Sequence, residues 1–399
     1  MSAAQPAGLT AYVGAGGGGD TAAAVVRSLA HPAGGRAAVY GAGYSAAEYA
    51  RSLTGGVRAS AGSGRDYDRL PYIGSGDGDG LVDAYLRDVG ARDAGGRDVP
   101  VFQVRPAGGS RHVAPLFEGL RVDPSAAVDA QGASFKHMSL LDEGNVVAQL
   151  SPPHPVYMFA SVRDLRDVAA ARGAYYALEA HLRASGADCL VLLDFGADLL
   201  DFAAPGGGRR PLARDTTVLL FALHLLRTGA VARLRLEAYG PGVDAHDTLD
   251  AVMHRLHALG DVAQLLPHGA GGAQIDAFLR LLKKHEAPLA RLGLLRRGRA
   301  TANFLRAHEQ LSTAGDVADF VTHWLEARDD FAKRGEAERQ AFRDATLRYL
   351  RCDPGRAQHF RAVVVAELGD DEQAARFVHA VCAPEYAQLL AALQPPDGG

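Results

Sequence analysis

Cysteine, tryptophan and methionine are scarce in this chain of 399 residues. It has three cysteines, one tryptophan and four methionines. Cys189, Cys352 and Cys382 stand far apart and form no Cys-x-x-Cys pair, so the sequence predicts neither a disulfide framework nor a zinc site. This cysteine usage fits a reducing compartment, and we expect a cytoplasmic protein.

Long apolar runs and an excess of positive charge are also missing. No apolar run approaches the roughly 20 residues that a bilayer span needs, and residues 1–10 lack the basic and apolar segments of a secretory leader. The net charge is −4 and the isoelectric point about 6.4. Because phosphate neutralisation needs a clustered basic surface, we expect neither a membrane nor a nucleic acid as a partner.

Apolar runs alternate with helix-forming segments along the first two thirds of the chain. Parallel strands need crossover connections, so this order predicts an α/β fold with a Rossmann-like, mostly parallel sheet and flanking helices over residues 1–272. Residues 55–98, rich in Gly, Ser, Arg and Asp, are predicted to be a flexible insertion or flap. From residue 273 to 399 nearly everything has a helical pattern, which predicts an all-helical C-terminal domain. The predicted strands are residues 9–13, 37–40, 99–104, 156–160, 189–193 and 232–239.

A glycine-rich loop follows the first predicted strand and opens a helix. Its spacing, Gly14-x-Gly16-x-x-Gly19, matches the dinucleotide fingerprint, in which glycines let the backbone approach a phosphate at a helix N-terminus. With 47 glycines in the chain, such a match also arises by chance, and the alternative is a flexible turn with Asp20 as a helix cap. No acidic residue ends the second strand to hold a ribose of NAD, and no Walker-type Lys follows the loop. The predicted phosphate-binding residues are Gly16, Gly17, Gly18, Gly19 and Asp20.

Two aspartates follow the most hydrophobic strand, at the edge where open α/β sheets bind ligands. Asp194 and Asp198 are predicted to bind a divalent cation, Mg²⁺ or Mn²⁺, or to supply a general base. The alternative is that Asp194 only ends the strand and Asp198 caps a turn.

Two further aspartates are predicted to line the same edge as ligand-binding residues. Asp215 precedes an apolar helix and Asp244 follows another strand. Helix capping would also explain Asp215, and Asp244 would otherwise be an ordinary loop residue before a helix.

Taken in order, these motifs resemble a family known as the domain of unknown function 1152. The similar segments are Gly16 to Asp20, Val156-Tyr157-Met158-Phe159, Asp194 to Asp198, Pro211 to Asp215, and Pro241-Gly242-Val243-Asp244. The resemblance covers roughly residues 9–260 and implies a Rossmann-like fold and a role for the aspartates, without implying a reaction. Phe195 and Ala197 replace the small and hydroxyl residues that the family has there, and Arg214 replaces an acidic one.

These observations predict a protein that binds a nucleotide or phosphorylated small molecule and performs metal-assisted hydrolysis or transfer. The alternative is a diverged, non-catalytic module that binds a ligand or another protein, which Phe195 and Ala197 favour because they reduce the polar chemistry of the pocket. The sequence leaves a homo-oligomer open.

Overall fold

The structure is a computed structural model of the full chain. The residues that it describes are 8–16, 18–44, 101–103, 147, 150, 152, 154–155, 156–161, 165–196, 199, 214–240, 254, 263–264, 272–291, 304, 335–352 and 362–394. The predicted flap, residues 55–98, lies outside them.

Eight strands of the described chain form one sheet with the order β3-β4-β2-β1-β5-β6-β8-β7. They are β1 (Leu9–Gly14), β2 (Arg36–Tyr44), β3 (Val101–Gln103), β4 (Val156–Ser161), β5 (Ala187–Phe195), β6 (Arg233–Tyr239), β7 (Ala263–Gln264) and β8 (Ala362–Leu368).

The middle of this sheet is parallel, as the sequence predicts. β4, β2, β1, β5 and β6 are parallel neighbours, while β3, β8 and β7 pair antiparallel. The chain passes from β1 to β2 on one side and later returns to β5 on the other side of β1. The carboxyl ends of β1 and β5 therefore lie next to each other where the strand order reverses.

Seven α-helices are described along the chain. They are α1 (Gly18–Leu29), α2 (Val168–Ser185), α3 (Arg214–Arg227), α4 (Gly272–Arg291), α5 (Glu336–Cys352), α6 (Asp371–Val381) and α7 (Ala383–Leu393), with a 3₁₀ turn at Leu165–Asp167. No helix in the described ranges is both long and apolar enough to cross a membrane.

The core lies along β1 and β5 and the helices packed on them. Seven consecutive residues of β5 are buried, so both faces of the strand are covered, as its continuous apolar sequence predicts. The alanines and valines of α1 are also buried, and this helix packs against β1, β2 and β5. Short side chains in α1 let the helix lie close to the sheet that carries the glycine-rich loop.

The expectation of an all-helical region after residue 273 is wrong at β8. Ala362–Leu368 pairs antiparallel with β6, with Leu236 opposite Ala366. The local sequence Val363-Val364-Val365 is β-branched, which favours a strand. Its helical surroundings conceal this signal, but the open edge of β6 offers the segment backbone partners.

Candidate ligand-binding site

The glycine-rich loop lies between the carboxyl end of β1 and the first turn of α1. The Ala15 N–H donates a hydrogen bond of 2.7 Å to the Leu193 carbonyl, which ties the loop to β5. A Cβ on Gly14 would lie 2.7 Å from the Thr21 nitrogen and 2.9 Å from the Asp20 carbonyl carbon. Only glycine therefore lets α1 return so closely over the end of β1.

Two carboxylates approach the middle of the loop. A Cβ on Gly16 would lie 1.8 Å from Asp215 Oδ1 and 2.7 Å from Asp20 Oδ2. The two oxygens are thus no farther apart than the sum of these distances. In the dinucleotide fingerprint the second glycine makes room for a pyrophosphate, whereas here carboxylate oxygens lie against it.

Asp20 connects the loop helix to the neighbouring strand. The residue is 6% exposed, and its Oδ1 accepts a hydrogen bond of 2.5 Å from the Phe195 main-chain N–H. Its place in the first turn of α1 also suits a negative charge, because the helix N-terminus carries partial positive charge. Asp20 is the third residue of α1, so it is not the N-cap that the alternative interpretation assumed.

Asp194 is fully buried, with 0% exposure, at the penultimate position of β5. Its Oδ2 accepts a hydrogen bond of 2.9 Å from the Leu199 N–H. This bond ties Leu199 to the end of β5, so one oxygen of the carboxylate has a structural partner.

Asp215 lies in the first turn of α3. The helix begins at Arg214, so Asp215 is inside the helix rather than before it as an N-cap. Its carboxylate reaches Gly16, and the carboxylate of Asp20 reaches the same glycine. Two segments almost 200 positions apart in the chain thus meet at one loop.

An aromatic cluster of Phe195, Tyr239 and Phe304, which the sequence analysis did not identify, borders the loop. The rings of Phe195 and Phe304 are 5.6 Å apart and those of Tyr239 and Phe304 5.5 Å apart. A Cβ on Gly19 would lie 2.7 Å from Phe195 Cδ1, so this glycine lets the ring pack against α1. Burial raises the pKa of the Tyr239 phenol, which keeps it protonated. Phe195 and Tyr239 end adjacent strands, a placement that alignment of the two strand ends would have revealed.

The predicted site residues fall into two groups. The structure brings Gly16, Gly19, Asp20, Asp194 and Asp215 to one edge of the sheet, and Gly18 begins α1. Gly17, Asp198 and Asp244 lie outside the described residues.

Metal binding by Asp194 and Asp198 stays a prediction. Within the described ranges, no group of three or more His, Cys, Asp or Glu side chains has an arrangement that could hold a metal ion. Mg²⁺ needs fewer protein ligands when a substrate phosphate and water complete its coordination.

The sheet and its helices define an α/β protein with its candidate site at the carboxyl edge of the parallel strands. No protein-family model, no curated protein and no solved structure matches the chain. The resemblance to the domain of unknown function 1152 therefore stays a prediction.

Proposed function

We propose that the chain is a Rossmann-like protein that binds a nucleotide-class small molecule at the glycine-rich loop. The parallel strands, taken in chain order, are arranged third, second, first, fourth, fifth. This is the order of doubly wound nucleotide-binding sheets, which bind their ligands in the crevice at the reversal point. The loop after β1 and the turn after β5 flank this point.

The observation that carries the proposal is the meeting of Asp20 and Asp215 at Gly16. Carboxylate oxygens beside the backbone of a glycine-rich loop suit the hydroxyl groups of a ribose, as the acidic residue does in dinucleotide sites. In this chain they would come from the first turns of two helices rather than from the end of the second strand.

A phosphorylated ligand would have to bind together with a cation. At 4 Å, two like unit charges repel by about 4 kcal/mol at an effective dielectric constant of 20. A phosphate beside Asp20 and Asp215 would meet such repulsion unless Mg²⁺ or Mn²⁺ bridged the groups. Mg²⁺ commonly binds through one or two carboxylates plus the phosphates of the substrate, which is the chemistry that metal-assisted hydrolysis or transfer requires.

A non-catalytic binding protein is the second candidate, and two hydrogen bonds favour it. Asp20 Oδ1 and Asp194 Oδ2 accept from the main chain of Phe195 and Leu199. Carboxylate oxygens engaged in such structural bonds are less available to ligate a metal ion or to accept a proton, which an enzyme would require of them.

The test is a thermal-shift screen of the full chain with ATP, NAD⁺ and ribose 5-phosphate, each with and without Mg²⁺. A ligand at 100 times its dissociation constant stabilises the folded state by about 2.7 kcal/mol. We expect a shift for at least one ligand that is lost in Asp215→Asn. The matched control is Asp371→Asn, because Asp371 lies exposed in the first turn of α6 and should leave the shift intact.

The results also separate the two candidates. A shift with release of phosphate or of the base supports an enzyme, whereas a shift without turnover supports a binding module. An equal shift in wild type and Asp215→Asn, or no shift with any of the three ligands, would overturn the proposed site.

A further inference from the structure

A cavity of about 650 Å³ lies at the edge of the sheet opposite the glycine-rich loop. Its wall includes Leu9, the first residue of β1, Arg36, the first residue of β2, and Pro155, which precedes β4. The glycine-rich loop follows the other end of β1, roughly 16 Å away along the strand. This volume is in the range of small-molecule sites.

Two imidazoles in the wall are each oriented by a hydroxyl group. Ser28 Oγ lies 2.5 Å from His154 Nε2, and the Tyr12 hydroxyl lies 2.9 Å from His31 Nδ1. Within the described ranges, neither His31 Nε2 nor His154 Nδ1 has a hydrogen-bond partner. Each ring is thus held in place by a hydrogen bond at one nitrogen, and His31 Nε2 lies against Gly35.

Both imidazoles have lowered pKa values, chiefly because they are partly buried. Burial, and secondarily the charge of Arg27, lowers the pKa of His31. Burial, and secondarily His31, lowers the pKa of His154 to about 4. Both rings are therefore neutral near pH 7, and a neutral imidazole still carries one N–H donor.

Arg36 gives the polar part of the wall its charge, among the described residues that line the cavity. Arg36 supplies a permanent positive charge, and its Nη2 donates a hydrogen bond of 3.3 Å to the Ser185 carbonyl. Tyr157 and Gln274 add further polar groups. Among the described residues that line the cavity, none is Asp or Glu, so an anion would meet no fixed negative charge there.

The rest of the wall is apolar. Leu9, Leu29, Pro32 and Pro155 contribute hydrocarbon surface next to the donors. A ligand that fits both parts has an anionic group for Arg36 and an apolar body for these side chains.

We propose that this cavity is a second binding site, which takes a small organic acid in its carboxylate form. The carboxylate binds the Arg36 guanidinium and an imidazole N–H of His31 or His154, and the apolar body lies against the proline and leucine side chains. Arg–carboxylate pairs are charge-assisted and directional, so Arg36 supplies most of the selectivity for the anion. The proposal does not depend on the function proposed for the glycine-rich loop.

The probe is benzoate, with benzamide as a neutral molecule of nearly the same shape. Titration into the full chain at pH 7, followed by calorimetry, should give a dissociation constant of about 1 mM for benzoate, as expected for a fragment-sized ligand. Benzamide should bind at least about tenfold more weakly, because it lacks the charge that Arg36 recognises.

Two arginine variants provide the specificity test. Arg36 is exposed, so Arg36→Gln should fold normally, and we expect it to weaken benzoate binding about tenfold or more. Arg233→Gln is the matched control, since Arg233 is also the exposed first residue of a parallel strand and bonds Asp188 at 2.7 Å instead. It should bind benzoate like the wild type.

Imidazole resonances locate the bound probe. Benzoate should shift the ¹H and ¹⁵N signals of His31 and His154 and leave those of the exposed His379 in α6 unchanged. Equal binding of benzamide and benzoate, unchanged affinity in Arg36→Gln, or no shift at His31 and His154 would each overturn the proposal.

Discussion

The Oδ1 atom of Asp20 accepts a hydrogen bond of 2.5 Å from the main-chain N–H of Phe195. This bond joins the first turn of α1 to the last residue of β5, and it is buried. The glycine-rich loop therefore has a side-chain tie to the turn after β5, in addition to the main-chain bond from Ala15 to Leu193.

Replacing Asp20 should show how much this tie stabilises the fold. We expect Asp20→Ala to lower the free energy of unfolding by about 1–3 kcal/mol, because it leaves the Phe195 N–H buried without this acceptor. Asp20→Asn keeps an acceptor oxygen and should cost less. Urea unfolding monitored by circular dichroism measures both, and an Asp20→Ala variant as stable as the wild type would show that the bond contributes little.

A methyl group on Gly16 should disrupt the candidate site. Gly16→Ala places a Cβ 1.8 Å from Asp215 Oδ1, so we expect a loss of about 1–3 kcal/mol in stability and loss of ligand binding at the loop. The control is Gly335→Ala, where a Cβ would meet no atom within 4 Å. Thermal unfolding and ligand titration of both variants check this, and a Gly16→Ala protein with wild-type binding would argue against a site at this glycine.

Removing the charge of the buried Glu237 carboxylate should lower the free energy of unfolding strongly. Glu237 is 1% exposed, accepts hydrogen bonds of 2.8 and 3.1 Å from Arg27, and lies 2.9 Å from the Arg235 guanidinium. Burial is the largest single influence on the pKa of Arg27 and lowers it, but the hydrogen bond and the charge of Glu237, with smaller contributions from tyrosines, together make the net shift upward. We expect Glu237→Gln to cost about 3 kcal/mol in urea unfolding, because two partly buried arginines lose their counter-charge.

The exposed ion pair between Arg227 and Asp371 gives the comparison for Glu237. Its atoms are also 2.8 Å apart, but the Asp371 side chain is 64% exposed. Asp371→Asn should therefore change the stability by less than about 1 kcal/mol. A similar loss of stability in Glu237→Gln and Asp371→Asn would show that burial does not strengthen the ion pairs of Glu237.

Mild acid should destabilise the protein through His154. Its pKa is about 4 in the folded chain and 6.5 in the unfolded chain, so the unfolded state binds more protons between these values. The contribution of His154 to stability is complete above about pH 6.5 and falls as the pH drops toward 4, by at most about 3 kcal/mol. Urea unfolding across this range should show a smaller pH dependence in His154→Asn than in wild type or His379→Asn. A His154 resonance that titrates near pH 6.5 would contradict this.

The sequence predicted the parallel centre of the fold because its signals are local. β1 and β5 are apolar runs bounded by glycine, and α1 follows directly from the loop. β8 was missed because its strand character depends on the open edge of β6, more than 120 positions earlier in the chain. The sequence of a segment does not show which distant strand it will pair with.

The site was predictable only in part for the same reason. Glycine spacing and strand ends identified Gly16, Asp20, Asp194 and Asp215 as candidates, and these residues do lie at one edge. The sequence could not show that the carboxylates of Asp20 and Asp215 converge on a single glycine. It also gave no sign of the cavity with His31 and His154, because their hydroxyl partners are set by packing rather than by a motif.

The antiparallel pairing of β8 with β6 has a consequence for synthesis of the chain on the ribosome. The strands from β1 to β6 are all made before residue 240, yet the outer edge of β6 receives β8 only after residue 368 has emerged. For about 130 residues of elongation, at roughly 5–20 residues per second, the edge of β6 lacks the strand that covers it in the folded protein. Such edges recruit other chains, so chains that stop before β8 should aggregate during expression while longer ones do not.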